Sequence, residues 1–176
     1  MQGKMTENVV LVGKLLFLVL ACTLFLERSK AIGKFIKTYS MENYQYYGLF
    51  LGTDTKNMLM DNLTDNIDYN IALGVADRIF IDHCTLLHKS QLEGNEELQS
   101  YLESNLGKSI SIKLVAVGVS DKAMAFKVEG VDNICANEVP HITIATFRGG
   151  NPVDSNRIIY WKNIESIIIT VKLEKK

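Results

Sequence analysis

Two segments of this 176-residue chain repeat one pattern of histidine, any residue, threonine and aliphatic: His83-Cys84-Thr85-Leu86 and His141-Ile142-Thr143-Ile144. A period of two confines such segments to β-strands, where side chains two apart point to the same face. His83 and Thr85 then share one face, as do His141 and Thr143. Cys84, Leu86, Ile142 and Ile144 face the other way, into a core. Two such strands side by side place two imidazoles and two hydroxyls around one cleft. The copies start 58 residues apart and hold two of the chain's three histidines. The third, His88, lies an odd number of positions beyond His83. Unbroken alternation puts it on the opposite face, with no catalytic role.

The surrounding sequence reads as an α+β domain. Tyr46 to Gly52 is aromatic and aliphatic and suits a strand. Asp54 is a helix N-cap for a segment through Asn62. Tyr69 to Val75 is a strand or an irregular segment, and Ile79 to His88 is the first motif strand. Leu98, Leu102 and Leu106 recur at four-residue spacing, which predicts a helix over Glu96–Leu106 closed by Gly107. Ser109 to Val119 and Met124 to Val128 alternate on either side of Ser120-Asp121-Lys122, the pattern of a hairpin. Val139 to Phe147 is the second motif strand, Arg148 to Pro152 a loop, and Ile158–Trp161 and Glu165–Leu173 the final strands. Two half-sheets, each carrying one motif and a helix, with a cleft between them, are the expected architecture.

Residues 1–43 differ in character and form a separate segment ahead of the domain at 44–176. Val9 to Leu26 carries one charge, Lys14, and is followed by Arg28, Lys30, Lys34 and Lys37. Its length is near the lower end for a spanning helix. The basic flank would stay in the cytosol and keep the following domain there. We therefore expect a membrane anchor at 9–26. A cleaved signal peptide, giving a secreted protein, and a core helix of a soluble cytoplasmic protein are the alternatives. The sequence carries no pattern that sets an oligomeric state.

The whole chain has 19 Lys and Arg against 20 Asp and Glu, and the excess of acid lies in 44–176. An acidic body disfavours tight, sequence-independent binding of long nucleic acid, which needs many cationic contacts to phosphate. It leaves room for a nucleotide or a single RNA end. Three sparse cysteines build no disulfide framework and fit a reducing compartment.

Two imidazoles and two hydroxyls suit phosphodiester hydrolysis. Water must lose a proton as it attacks phosphorus, and the departing sugar oxygen must gain one. Imidazoles do both near neutral pH, each contributing on the order of 10²–10⁴-fold. Thr85 and Thr143 can donate to the non-bridging oxygens. Arg148, just after the second motif strand, can meet a phosphate or be a solvated loop charge. Phe147, Tyr160 and Trp161 could stack on a base or pack in the core. No metal ligand spacing such as H-x-x-x-H or C-x-x-C occurs, and no metal or other cofactor is called for. A Cys84 nucleophile is disfavoured because alternation points it inward.

The two motifs resemble the paired H-x-T/S-hydrophobic signatures of the two-histidine phosphoesterase superfamily, over roughly Tyr44 to Lys176. His83-Cys84-Thr85-Leu86-Leu87-His88, Pro140-His141-Ile142-Thr143-Ile144-Ala145-Thr146 and Pro152-Val153-Asp154-Ser155-Asn156 are similar to the cyclic phosphodiesterase domain of fungal-type tRNA ligases. The resemblance implies a bilobal sheet with the motif strands central. It implies hydrolysis of a 2′,3′-cyclic phosphate at an RNA end or nucleotide to a 2′-phosphate. His83 and His141 match the family's catalytic histidines, and Thr85 and Thr143 its phosphate-binding hydroxyls. There is no room for ligase or kinase domains, and the N-terminal apolar segment is foreign to that family. Cleavage of 2′-5′-linked oligonucleotides or cyclic nucleotides is the alternative within the superfamily. A silent module that holds nucleotide or RNA ends is the alternative outside catalysis.

Overall fold

The alternating segments become strands of one sheet. The computed structural model describes residues 44–176, with β1 Tyr46–Leu51, β2 Arg78–Ile79, β3 His83–His88, β4 Ser109–Val119, β5 Ala123–Glu129, β6 His141–Thr146 and β7 Trp161–Lys175. The order across the sheet is β2-β6-β3-β1-β7-β4-β5, and β5 pairs again with β6. All pairings are antiparallel, and the β5–β6 pairing closes the sheet on itself in a barrel-like ring. The two motif strands are neighbours, joined at a single partner pair, Cys84 opposite Ile142. The expected two half-sheets therefore meet at that narrow seam and run without a break through β1, β7 and β4 on the other side.

Three helices sit on this frame: α1 Thr53–Thr64, α2 Ile67–Gly74 and α3 Glu96–Ser104. Each buries a short apolar set, Leu59 and Leu63 from α1, Tyr69 and Leu73 from α2, and Leu102 from α3. The N-cap of α1 is Gly52, and Asp54 stands in its first turn, where a carboxylate favours the helix dipole. The stretch Tyr69–Val75, expected as strand or irregular, is helical. Asn66 caps α2 by accepting from the backbone N–H groups of Asp68 (3.1 Å) and Tyr69 (3.4 Å). The cap satisfies donors that β-leaning residues alone would leave open.

The expected first motif strand, Ile79–His88, is broken between β2 and β3. Ile81 is fully buried and holds φ 54°, a left-handed conformation rare for a β-branched residue. Both pieces still ride one edge of β6, since Phe80 and Ile81 donate to the carbonyls of Ile144 (2.8 Å) and Thr143 (3.0 Å). The two strands expected at the C-terminus are one, and Ile158–Tyr160 lies outside it. The expected apolar helix and membrane anchor at 9–26, with the whole segment 1–43, lies outside the described residues. Among the described residues no helix is long and apolar enough to cross a membrane.

Candidate active site

His83, Thr85, His141 and Thr143 line one cavity of about 550 Å³ at the seam between β3 and β6. Alternation places them there, and it turns Cys84, Ile142 and Ile144 into the fully buried interior. The inward Cys84 is no nucleophile. Its hydrogen bond to Cys135, with burial, pushes the thiol well above its usual range, so the thiolate form is suppressed.

The two imidazoles are held differently. His83 is stacked on the rings of Tyr46 (centroids 4.7 Å, planes 18° apart) and Phe50 (5.1 Å, 22°), both on β1. Gly48 makes room between them: a Cβ there would stand 3.2 Å from Phe50 Cε2 and 3.5 Å from His83 Cδ2. His141 is tied instead to the backbone, its Nδ1 lying 2.8 Å from the carbonyl oxygen of Val139. A carbonyl only accepts, so Nδ1 carries the hydrogen and Nε2 keeps a lone pair. Burial pushes His83 below the ordinary imidazole value, opposed by the Asp82 carboxylate and reinforced by His141 and Lys56. Burial likewise lowers His141, opposed by its bond to Val139.

The threonines are held as well. Thr143 Oγ1 lies 3.0 Å from Ser155 Oγ and 3.4 Å from the carbonyl of Pro152, both on the 3₁₀ turn Pro152–Arg157. The carbonyl can only accept, so the Thr143 hydroxyl donates to Pro152 while it can accept from Ser155, and it reaches a phosphate oxygen by giving up the long bond to Pro152. The Thr85 carbonyl accepts from Asn137 Nδ2 (3.2 Å), which also lines the cavity. Ser155, Asn137, Asp82 and Tyr46 are the site residues that pattern reading missed. Ser155 sits in the string Pro152–Asn156 that carried the family resemblance, and Asp82 adjoins His83. Asn137 and Tyr46 have no local signal.

The expected facing of His88 is corrected here. His88 lines the same cavity as His83. Thr85 faces Gly48 while Leu87 faces Tyr47, so Leu86 is an extra residue, a bulge that resets the alternation. Arg148 is not among the cavity's lining residues. It stands at φ 49° in the turn after β6, with its carbonyl accepting from Lys122 Nζ at 2.7 Å. None of Phe147, Tyr160 and Trp161 lines the cavity either; Phe147 is buried, Trp161 packs against Ala123, Ala125 and Ile158, and Tyr160 is exposed. The rings that do line it are Tyr46 and Phe80. Among the described residues, no three His, Cys, Asp or Glu side chains are grouped to hold a metal ion.

Comparison with known proteins bears on this arrangement. Residues 81–170, just over half of the chain and spanning both motifs, match the family described as the fungal tRNA ligase phosphodiesterase domain. A crystal structure of a fungal RNA kinase superposes with a TM-score of 0.54 at 17% identity, covering 74% of this chain and 46% of that one. The chain thus spans less than half of that structure, and the likeness is one of fold. No curated protein matches the sequence.

Proposed function

The chain belongs to the fungal tRNA ligase phosphodiesterase domain family, and from that premise we propose that it hydrolyses 2′,3′-cyclic phosphates at RNA ends or on nucleotides to 2′-phosphates. The observation that carries this reading is the convergence of His83, His141, Thr85 and Thr143 on one cavity. In the proposed step one imidazole takes a proton from water as its oxygen bonds to phosphorus. The P–O3′ bond breaks, and the other imidazole gives its proton to O3′. Water is consumed and the phosphate remains on O2′. Thr85 and Thr143 hydroxyls donate to the non-bridging oxygens, where charge builds in the transition state. Acid–base chemistry of this kind calls on no metal; burial lowers both imidazoles, which favours the neutral form the base needs, while the acid must be held protonated by its surroundings. Arg148, at the turn just after β6, is proposed to bind substrate by meeting a phosphate from beyond the cavity lining.

Anchoring to a membrane through residues 9–26, with the domain on the cytosolic face, remains part of the proposal and rests on the sequence alone.

The test is release of a phosphomonoester from a nucleoside 2′,3′-cyclic phosphate by the full chain with EDTA present. Turnover is expected, with a fall on the order of 10²–10⁴-fold in both His83→Ala and His141→Ala. Product with phosphate on O3′ would reassign the bond that breaks. An inactive wild type that cleaves 2′-5′-linked oligonucleotides would move the substrate class. One that cleaves neither would leave a binding module.

A further inference from the structure

Alternation along β3 should point Asp82 away from the face that carries His83. Both nevertheless line the cavity. The cause is Ile81, whose left-handed φ of 54° turns the chain just before the motif while its side chain stays in the core. A buried β-branched residue in that region is strained, and such strain persists where the surroundings hold it in place. Here the surroundings are explicit. The Asp82 carbonyl accepts from the N–H of Leu51 at 3.0 Å, and its carboxylate is ion-paired with Lys56 on α1.

Resting on the reading of this cavity as a phosphodiesterase site, we propose that Asp82, oriented by the Ile81 turn and tethered by Lys56, is a positioning residue that holds a proton on His83. The partner of His141 is the Val139 carbonyl, so the Asp82–Lys56 pair makes the two imidazoles unequal. A proton held on His83 is what the departing sugar oxygen needs. Lys56 opposes the effect by neutralising part of the carboxylate's charge, so the ion pair sets its size. Other groups around His83 are the stacked Tyr46 on β1, His141 on β6, Lys176 over the Phe50 ring at 5.2 Å and Arg78 over the Phe80 ring at 5.3 Å. Among the described residues, Asp82 is the carboxylate that acts on His83.

The experiment is an NMR pH titration of the histidine ring protons in the full chain. The chain has three histidines, and each signal is assigned from its own His→Gln variant. Asp82→Asn is expected to lower the His83 midpoint, and Lys56→Met to raise it. His88, about 13 Å along the strand once the bulge is discounted, lies beyond the screening length and should hold still. Opposite shifts separate the proposal from a merely structural role. A site loosened by either variant would admit water and move His83 upward in both. The alkaline limb of kcat/KM should follow the same two directions. An unmoved or raised His83 midpoint in Asp82→Asn would overturn the proposal. The titration needs no substrate, so its outcome stands apart from the activity assay. Shifts as expected in a protein that turns over no cyclic phosphate would reject the proposed function and leave the pair.

Discussion

Thr143 shows how much one hydroxyl depends on its neighbour. Its oxygen has two partners, and only Ser155 can donate to it. The Thr143 proton rests on the Pro152 carbonyl, and Ser155, by donating to the same hydroxyl oxygen, holds it in place when that proton turns to a bound phosphate. Ser155→Ala should therefore lower kcat on the order of tenfold, the worth of one hydrogen bond near 1.4 kcal/mol. Steady-state kinetics on the cyclic phosphate would show it, and full retention of kcat would remove Ser155 from the site. His83 and His141 make the same point about environment. One ring is clamped by aromatic faces and the other by a carbonyl, so two identical residues in identical motifs meet different surroundings.

At the scale of elements, strands β4, β5 and β7 contribute no residue to the cavity lining. Gly118 on β4 faces Trp161 on β7. A Cβ there would stand 2.4 Å from Ile158 Cγ2 and 2.7 Å from Trp161 Cε3. The indole packs against Ala123, Ala125 and Ile158 and donates from Nε1 to the Ile158 carbonyl at 3.2 Å. Gly118→Ala must displace that ring, and overpacking of this kind costs about 1–3 kcal/mol. The urea midpoint should fall accordingly. Trp161 does not line the cavity, so turnover of the folded fraction should not change; a selective loss of kcat would mean the two sides of the ring are coupled. The β3 bulge at Leu86 works the other way, since it brings a third histidine to the cavity's edge.

Across the molecule, burial of two histidines links stability to pH. Both rings titrate lower in the folded chain than the ordinary 6.5. Below that value the unfolded chain binds protons that the folded chain still refuses. Stability is therefore full above about pH 6.5 and falls as the pH drops toward the folded midpoints, by at most about 1.4 kcal/mol per pH unit for each ring. Urea denaturation should give a lower midpoint at pH 5.5 than at 7.5, and His83→Gln with His141→Gln should flatten the difference. An unchanged slope in that double variant would place the linkage elsewhere. Bound phosphate favours the protonated rings and should reduce the loss.

Periodicity was enough to read most of the strands, though not to see that Ile158–Tyr160 lies outside one, and to place His83 with Thr85 and His141 with Thr143. A two-residue repeat has one stable reading once one face is apolar and buried. The helix begun at Glu96 and the β4–β5 hairpin were legible for the same local reason. Periodicity failed wherever the backbone broke its own rule. The left-handed Ile81 and the extra Leu86 each reset the alternation, so Asp82 and His88 reached the cavity against their sequence parity. Nor could spacing reveal that the Pro152–Arg157 turn would bring Ser155 to Thr143, or that β1 would stack Tyr46 on His83. Those contacts join positions separated along the chain, and only closure of the sheet brings them together. Sequence alone determined which side chains share a face; tertiary structure decided which faces meet and what holds each ring and hydroxyl there.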